Sequence, residues 1–322
     1  MTRPKILLTR RWPDAVESHL SERYDVTLNR TDTPLAAAEL KAALRAQDAL
    51  CPTVTDRITA DVLEGARAKI IANYGVGFSH IDIAACERLG IIVTNTPDVL
   101  TDATADIAIM LILMVARRAG EGERQLRCGN WTGWRPSHMI GTHVTGKTLG
   151  VVGFGRIGQA VARKAHRGFG MNILYHSRTE ESDQGETEAG GAKYCTDLAE
   201  LLRNSDFVSL HCPGGAATRH LIDEAMLAVM KPGAFLINTA RGEVVDEAAL
   251  IRALESRTIA GAGLDVYEHE PHVPEALARL ENVVLLPHLG SATSETRIAM
   301  GMRVARNLDA FFAGRAPRDR VA

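Results

Sequence analysis

Leu149-Gly-Val-Val-Gly-Phe-Gly-Arg-Ile-Gly158, read with Ile173-Leu-Tyr-His-Ser-Arg-Thr179 downstream, decides the fold. An apolar, strand-like run enters a Gly-x-Gly-x-x-Gly loop at Gly153, Gly155 and Gly158. A helical pattern from Gln159 to Arg167 follows, and then the second apolar run. This order is the strand–loop–helix–strand unit of a dinucleotide site. Its glycines allow a tight turn and close backbone approach. The start of the helix offers unpaired N–H groups to a pyrophosphate. A strand–helix turn with no ligand would not need all three glycines.

The motif lies near the middle of a 322-residue chain, and strand-like runs alternate with helical patterns on both sides of it. Upstream runs are Lys5–Leu8, Val26–Leu28, Ala49–Cys51, Lys69–Ala72 and Ile91–Thr94. Downstream of Leu149–Val152 come Asn172–Tyr175, Phe207–His211, Ala234–Asn238, Ala262–Asp265 and Val283–Leu286. Such alternation predicts parallel sheets with helices on both faces. Residues 99–289 are expected to form the dinucleotide domain. Residues 1–98 form a second α/β domain, to which a helical tail within 290–322 returns. The turn-rich stretch Gly129-Asn-Trp-Thr-Gly-Trp-Arg-Pro136 reads as an extended arm near 120–146. Its tryptophans suggest a dimer contact.

Apolar residues make up 46% of the chain, enough for two cores, and the net charge of −2 gives no reason to expect nucleic acid or an anionic membrane as partner. The most apolar segment, Ile107 to Ala116, falls well short of the roughly 20 residues that span a bilayer. Met-Thr-Arg-Pro-Lys leads straight into a strand-like run without a signal-peptide pattern. Cys51, Cys86, Cys128, Cys195 and Cys212 form no C-x-x-C pair, which suits reduced core thiols and a cytoplasmic location. No clustered ligand set suggests a metal.

An NAD site usually carries Asp or Glu at the end of the second strand, bonded to the ribose hydroxyl. Here Tyr175 is followed by His176, Ser177, Arg178 and Thr179, while Glu180 and Glu181 come too late. A carboxylate would repel a 2′-phosphate, whereas Arg178 can pair with one and Ser177 and Thr179 add hydroxyl donors. NADP(H) is therefore favoured. The alternative is that Arg178 is a solvated charge, or stacks on adenine, and NAD(H) binds.

A second group of residues lies in Ile237-Asn-Thr-Ala-Arg-Gly-Glu243, Gly263-Leu-Asp-Val-Tyr-Glu-His-Glu-Pro271 and Leu286-Pro-His-Leu-Gly-Ser291. Arg241, Asp265 and His288 each follow an apolar run, and ligands of open α/β sheets bind outside the carboxyl ends of strands. A permanently charged arginine suits a carboxylate and a polarised carbonyl. An imidazole suits proton transfer, and a carboxylate at Glu270 would stabilise the imidazolium. Taken singly, each residue could equally be a turn cap, a surface acid or a structural loop histidine.

These motifs resemble the D-isomer-specific 2-hydroxyacid dehydrogenases over nearly the whole chain. The resemblance rests on Asn73-Tyr-Gly-Val-Gly-Phe-Ser-His-Ile-Asp82, Thr104-Ala-Asp106, the glycine loop, His211-Cys-Pro213, Asn238-Thr-Ala-Arg-Gly242, Gly263-Leu-Asp265, Glu270-Pro271 and Pro287-His288. The Asn-Tyr-Gly-Val-Gly stretch, the basic Ser-Arg-Thr and the Trp-rich arm are most similar to the glyoxylate/hydroxypyruvate reductases. The resemblance implies two doubly wound parallel-sheet domains, Rossmann-like and flavodoxin-like, an active site in the cleft between them, and a homodimer. It implies that Arg241 binds the substrate carboxylate, that His288 donates the proton, and that Glu270 pairs with His288. Val76 and Gly77 would hold the carboxylate through their N–H groups, with Val54, Tyr74 and Trp134 also near the substrate. Asp265 would bond the nicotinamide carboxamide and Thr104 would lie near the phosphates. The cofactor would also meet Arg156, Ile157, His211, Cys212, Pro213, Thr218, Thr239, Ala240 and Gly290. One departure is Gly214-Gly215-Ala216-Ala217, where the family often has Leu-Thr. The expected activity is NADPH-dependent reduction of glyoxylate and hydroxypyruvate. The alternatives are an NAD-dependent dehydrogenase of a bulkier D-2-hydroxy acid, and a dinucleotide-sensing binding protein like the corepressors of this superfamily.

Overall fold

The computed structural model of the protein describes residues 3–180 and 189–322. The chain divides into two compact units, Met1–Leu100 with Ala292–Ala322, and Thr101–Ser291.

The first unit has a five-stranded sheet of β1 (Lys5–Leu8), β2 (Asp25–Leu28), β3 (Ala49–Cys51), β4 (Ile70–Ala72) and β5 (Ile92–Thr94). All its pairings are parallel, in the order β2-β1-β3-β4-β5. This is a flavodoxin-like order. Parallel strands covered on both faces need apolar residues at every position. Accordingly β3 and β4 are wholly buried, whereas edge strand β2 is not. The tail helix Ser294–Phe312 packs on the helix Asp14–Arg23. Tyr24 donates its hydroxyl to Asp309 at 2.7 Å, and Arg23 pairs with the same carboxylate at 2.8 Å.

The second unit contains β6 (Thr148–Val152), β7 (Asn172–His176), β8 (Lys193–Tyr194), β9 (Phe207–Leu210), β10 (Phe235–Asn238), β11 (Gly261–Leu264) and β12 (Val283–Leu285). The strands run parallel in the order β12-β11-β10-β9-β6-β7-β8. The strand order reverses direction between β6 and β9. That switch point is where an open α/β sheet leaves a crevice at its carboxyl edge. The apolar helix Thr101–Ala116 lies against β10, β11 and the helix Arg156–Phe169, burying Leu111 and Ile112. No described helix is long and apolar enough to cross a membrane.

Three details differ from the sequence reading. Strand β8 is an addition, because two residues carry too little pattern to read. Several strands stop one residue early, so His211, Asp265 and Leu286 stand just past their ends. The thiols do not all lie in cores: Cys128 is exposed after the polar helix Ala119–Arg127, while the other four are buried.

Candidate active site

The glycine loop is shaped by what surrounds it. Gly153 has φ +89°, and a Cβ there would stand 2.5 Å from the Cys212 nitrogen and 2.7 Å from the His211 carbonyl carbon. The loop after β6 therefore passes directly against the chain leaving β9, at the switch point. A Cβ on Gly158 would overlap the Gly153 carbonyl oxygen, so the helix Arg156–Phe169 starts in contact with the loop. At Gly155 a Cβ would meet nothing within 4 Å. Gly155 is also the N-cap of that helix and supplies no side-chain cap. A helix start that lacks a side-chain cap and opens onto free space is what a pyrophosphate requires, so these residues fit a dinucleotide. The variant Gly155→Ala should melt with the wild type, because φ −77° suits alanine, yet weaken NAD(P)H by about tenfold or more. Gly158→Ala should instead destabilise the fold by about 1–3 kcal/mol. Fluorescence titration and thermal unfolding check the pair; an unchanged cofactor Kd in Gly155→Ala would exclude the loop as the phosphate site.

At the end of β7 the His176 ring pairs through Nδ1 with the Cys195 carbonyl at 2.9 Å. The Ser177 hydroxyl donates to the Thr179 carbonyl. Arg178, Thr179 and Glu180 are exposed, and Glu181 lies outside the described residues.

Arg241 stands just beyond β10 on a turn made by Asn238. The buried Asn238 accepts from the Ala240 N–H at 3.0 Å and donates to the Arg241 carbonyl at 2.9 Å. Gly242 comes next, and a Cβ there would overlap the Tyr267 carbonyl. This approach brings the end of β10 against the segment that carries Glu270. A Cβ on Gly214 would fall 2.9 Å from the Arg241 Cγ, and Gly215 donates its N–H to Glu243 at 2.8 Å. The Gly-Gly departure noted in the sequence thus lies along the arginine side chain. Burial pushes the Arg241 pKa down, opposed by the nearby charges of Glu270 and Glu243.

Glu270 is clamped from two sides. One carboxylate oxygen accepts from the Tyr267 N–H at 3.1 Å and the other pairs with His288 Nδ1 at 2.8 Å. Burial raises its pKa, but His288, the Tyr267 N–H and Arg241 outweigh it, so the net shift is downward. His288 has φ +55°, a left-handed backbone that is sparsely populated for histidine. Asp265 holds it there. The Asp265 carbonyl accepts from the His288 N–H at 3.0 Å, and its carboxylate accepts from Leu289 at 2.6 Å and Gly290 at 2.8 Å. Chemically, the group offers a cation beside an imidazole whose Nδ1 faces a carboxylate. Such an arrangement can bind an oxyanion and exchange a proton at Nε2.

The remaining expected residues behave variously. Asp265 is 1% exposed, and each of its carboxylate oxygens accepts a backbone N–H of the His288 loop, so the carboxylate fastens that loop. Thr104 donates its hydroxyl to the Gly290 carbonyl at 2.9 Å, joining the same loop. Thr218 caps the Pro213 carbonyl at 2.6 Å. Cys212 and Ala240 are buried and Pro213 is exposed, while Arg156 is exposed and Ile157 half-buried at the helix start. Burial pushes the His211 pKa down to about 3, leaving a neutral ring bonded to Ser209 at 2.8 Å. The buried hydroxyl of Thr239 has no partner among the described residues, as a ligand-directed group would show. In the first unit, Tyr74 is 6% exposed, packs at a tilt against Trp12 with ring centroids 4.3 Å apart, and donates its hydroxyl to the Arg297 carbonyl at 2.6 Å. Val54 is exposed and Val76 and Gly77 are half-buried. Trp134 is 80% exposed, so within one chain its ring faces solvent. Sequence reasoning missed Asn238 and Tyr267; an asparagine closing a strand three residues before an arginine was the available sign.

Comparison with known proteins gives this geometry a family. Residues 109–290 match the model of the D-isomer specific 2-hydroxyacid dehydrogenase NAD binding domain. A glyoxylate reductase of Thermococcus litoralis is 48% identical, covering 99% of this chain and 97% of that one. The chain belongs to the D-isomer-specific 2-hydroxyacid dehydrogenase family. A glyoxylate reductase of Pyrococcus furiosus, also 48% identical, covers 98% of this chain and 94% of its own. Among solved structures, the NADPH-dependent glyoxylate/hydroxypyruvate reductase of Sinorhizobium meliloti, in complex with NADP and malonate, superposes with a TM-score of 0.88 at 37% identity, covering 100% of this chain and 97% of that chain. As a member of the glyoxylate reductase branch, this 2-hydroxyacid dehydrogenase is an oxidoreductase that uses a nicotinamide dinucleotide.

Proposed function

We propose that the protein reduces small 2-oxo acids, glyoxylate and hydroxypyruvate, to 2-hydroxy acids, with NADPH as the preferred reductant. The observation that carries this reading is the Glu270–His288 pair at 2.8 Å, joining the segment after β11 to the loop after β12, with the Arg241 charge acting on the same carboxylate. When bound, the nicotinamide supplies the hydride. Arg241 holds the substrate carboxylate and draws electron density toward the carbonyl oxygen. His288, oriented through Nδ1, gives a proton from Nε2 to that oxygen. Glu270 compensates the imidazolium charge before transfer.

The cofactor preference rests on the absence of a carboxylate among His176, Ser177, Arg178 and Thr179, and on the exposure of the Arg178 guanidinium. The named Sinorhizobium relative, an NADPH-dependent enzyme, supports it. Arg178→Ala should raise the KM for NADPH by about tenfold or more and change that for NADH little. Equal effects on both would remove the 2′-phosphate role. A panel of 2-oxo acids, followed by loss of reduced-nicotinamide absorbance with each cofactor, tests the activity. No turnover of glyoxylate or hydroxypyruvate with either cofactor would sink it.

A homodimer belongs to the same reading. Leu126, Trp131, Trp134 and Ile140 are large, apolar and exposed within one short stretch. Such a patch on an isolated chain is suited to a second copy. A monomeric mass in sedimentation would remove this part.

A further inference from the structure

A loop in the first unit, Gly75-Val-Gly-Phe78, has its peptide orientation fixed by side chains outside it. The Asn73 amide nitrogen donates to the carbonyls of Gly75 and Gly77, both at 3.0 Å. The Asn95 amide nitrogen donates to the Val76 carbonyl at 2.9 Å, and the Thr96 N–H also reaches the Gly75 carbonyl at 3.0 Å. Ala72 pairs with Thr94 across β4 and β5, so Asn73 and Asn95 leave the two strands side by side, and the three carbonyls are drawn toward that pair of amides. Asn73 is fully buried and its oxygen pairs with His80 at 3.1 Å, so both ends of its amide are committed. Asn95 is 9% exposed.

In a trans peptide the N–H of the next residue points opposite to the carbonyl. Drawing in the carbonyls of Gly75, Val76 and Gly77 therefore turns the N–H groups of Val76, Gly77 and Phe78 the other way. None of these three N–H groups donates to a described backbone carbonyl, and all three residues are only half-buried. Successive N–H groups facing one side form a concavity for an anion.

We propose that Asn73 and Asn95 are positioning residues which aim the Val76, Gly77 and Phe78 N–H groups as a three-donor cradle for the carboxylate of the 2-oxo acid. This rests on the oxo-acid reading above. It adds Phe78 as a donor and two asparagines that touch no substrate. The asparagine amide is required because an aspartate has no hydrogen to give and would repel the carbonyl it faces. The peptide would then be free to turn, and one charge-assisted donor would be lost from the cradle.

The test compares wild type, Asn95→Asp, Asn95→Ala and Asn73→Asp in steady-state reduction of glyoxylate and in competitive inhibition by oxamate. Each variant should raise the glyoxylate KM and weaken oxamate by about tenfold or more. The turnover number should stay within about threefold, and NADPH affinity by fluorescence titration should not move. Because Asn73 is buried, the Asn95 variants with wild-type melting carry the decision. If the wild type reduces glyoxylate and Asn95→Asp and Asn95→Ala leave both KM and oxamate inhibition within about twofold, the cradle is overturned while the activity stands. A fall in turnover number at unchanged KM overturns it equally. If the wild type reduces no 2-oxo acid, the activity falls and the cradle falls with it.

Discussion

Replacing His288 with glutamine should lower the turnover of 2-oxo-acid reduction by about 10²–10⁴-fold, the usual worth of general acid catalysis, with NADPH affinity nearly unchanged. Glutamine retains a polar side chain that can reach toward Glu270, but it cannot deliver a proton. The loop itself should persist, because its fasteners are main-chain groups and the Asp265 carboxylate, not the imidazole. Rapid-mixing measurement of the reductive step, with fluorescence titration of the cofactor, checks both halves. Near-normal turnover would remove His288 as proton donor. The shift at Glu270 sets the acid side of the profile. Its pKa lies below the ordinary 4.5, so the carboxylate survives as pH falls toward that value and is lost only below it. Stability supplied by the pair follows the same sign: present above the unfolded value, and lost as pH drops through the depressed one.

The second large effect is expected at Arg241. Removal in Arg241→Ala takes away two charge-assisted hydrogen bonds of about 1.5–3 kcal/mol each. Together they amount to roughly 10²–10⁴ in kcat/KM. Arg241→Lys should recover only a small part, because an ammonium is a point charge and cannot bond in a planar fork. Its stem would also run along Gly214, where the arginine Cγ is already in close contact. Part of the loss should appear in kcat, since polarising the carbonyl matters more in the transition state than in the bound ground state. Steady-state kinetics with glyoxylate separates the two; a variant changed in KM alone would restrict Arg241 to binding.

Much of this was legible in the residues. Gly153, Gly155 and Gly158 announced the dinucleotide loop by their spacing: neighbouring backbone leaves no room for a Cβ at Gly153 and Gly158, and Gly155 keeps the space before the helix open. The alternation of apolar runs announced parallel sheets, because strands covered on both faces cannot afford polar positions. Arg241 and His288 were readable as candidates because each follows an apolar run and carries a side chain with few structural uses in that place. What escaped was the scaffolding. The bonds from Asp265 to Leu289 and Gly290, and from Tyr267 to Glu270, depend on which loops meet in space. Asp265 and Tyr74 were singled out for their chemistry alone, and the bonds that fix them, from Leu289 and Gly290 to the Asp265 carboxylate and from the Tyr74 hydroxyl to the Arg297 carbonyl, had no sign in the residue order.

The left-handed backbone at His288 has a wider meaning. A conformation that histidine seldom adopts unaided is secured by one neighbouring aspartate at three main-chain points. The imidazole is therefore placed when the second unit folds, and no ligand has to order its backbone. Preset polar groups of this kind spare the reaction the cost of reorganising its surroundings. It also separates two properties that selection can act on. Loops elsewhere in the unit can vary, while His288 stays anchored beside the strand ends.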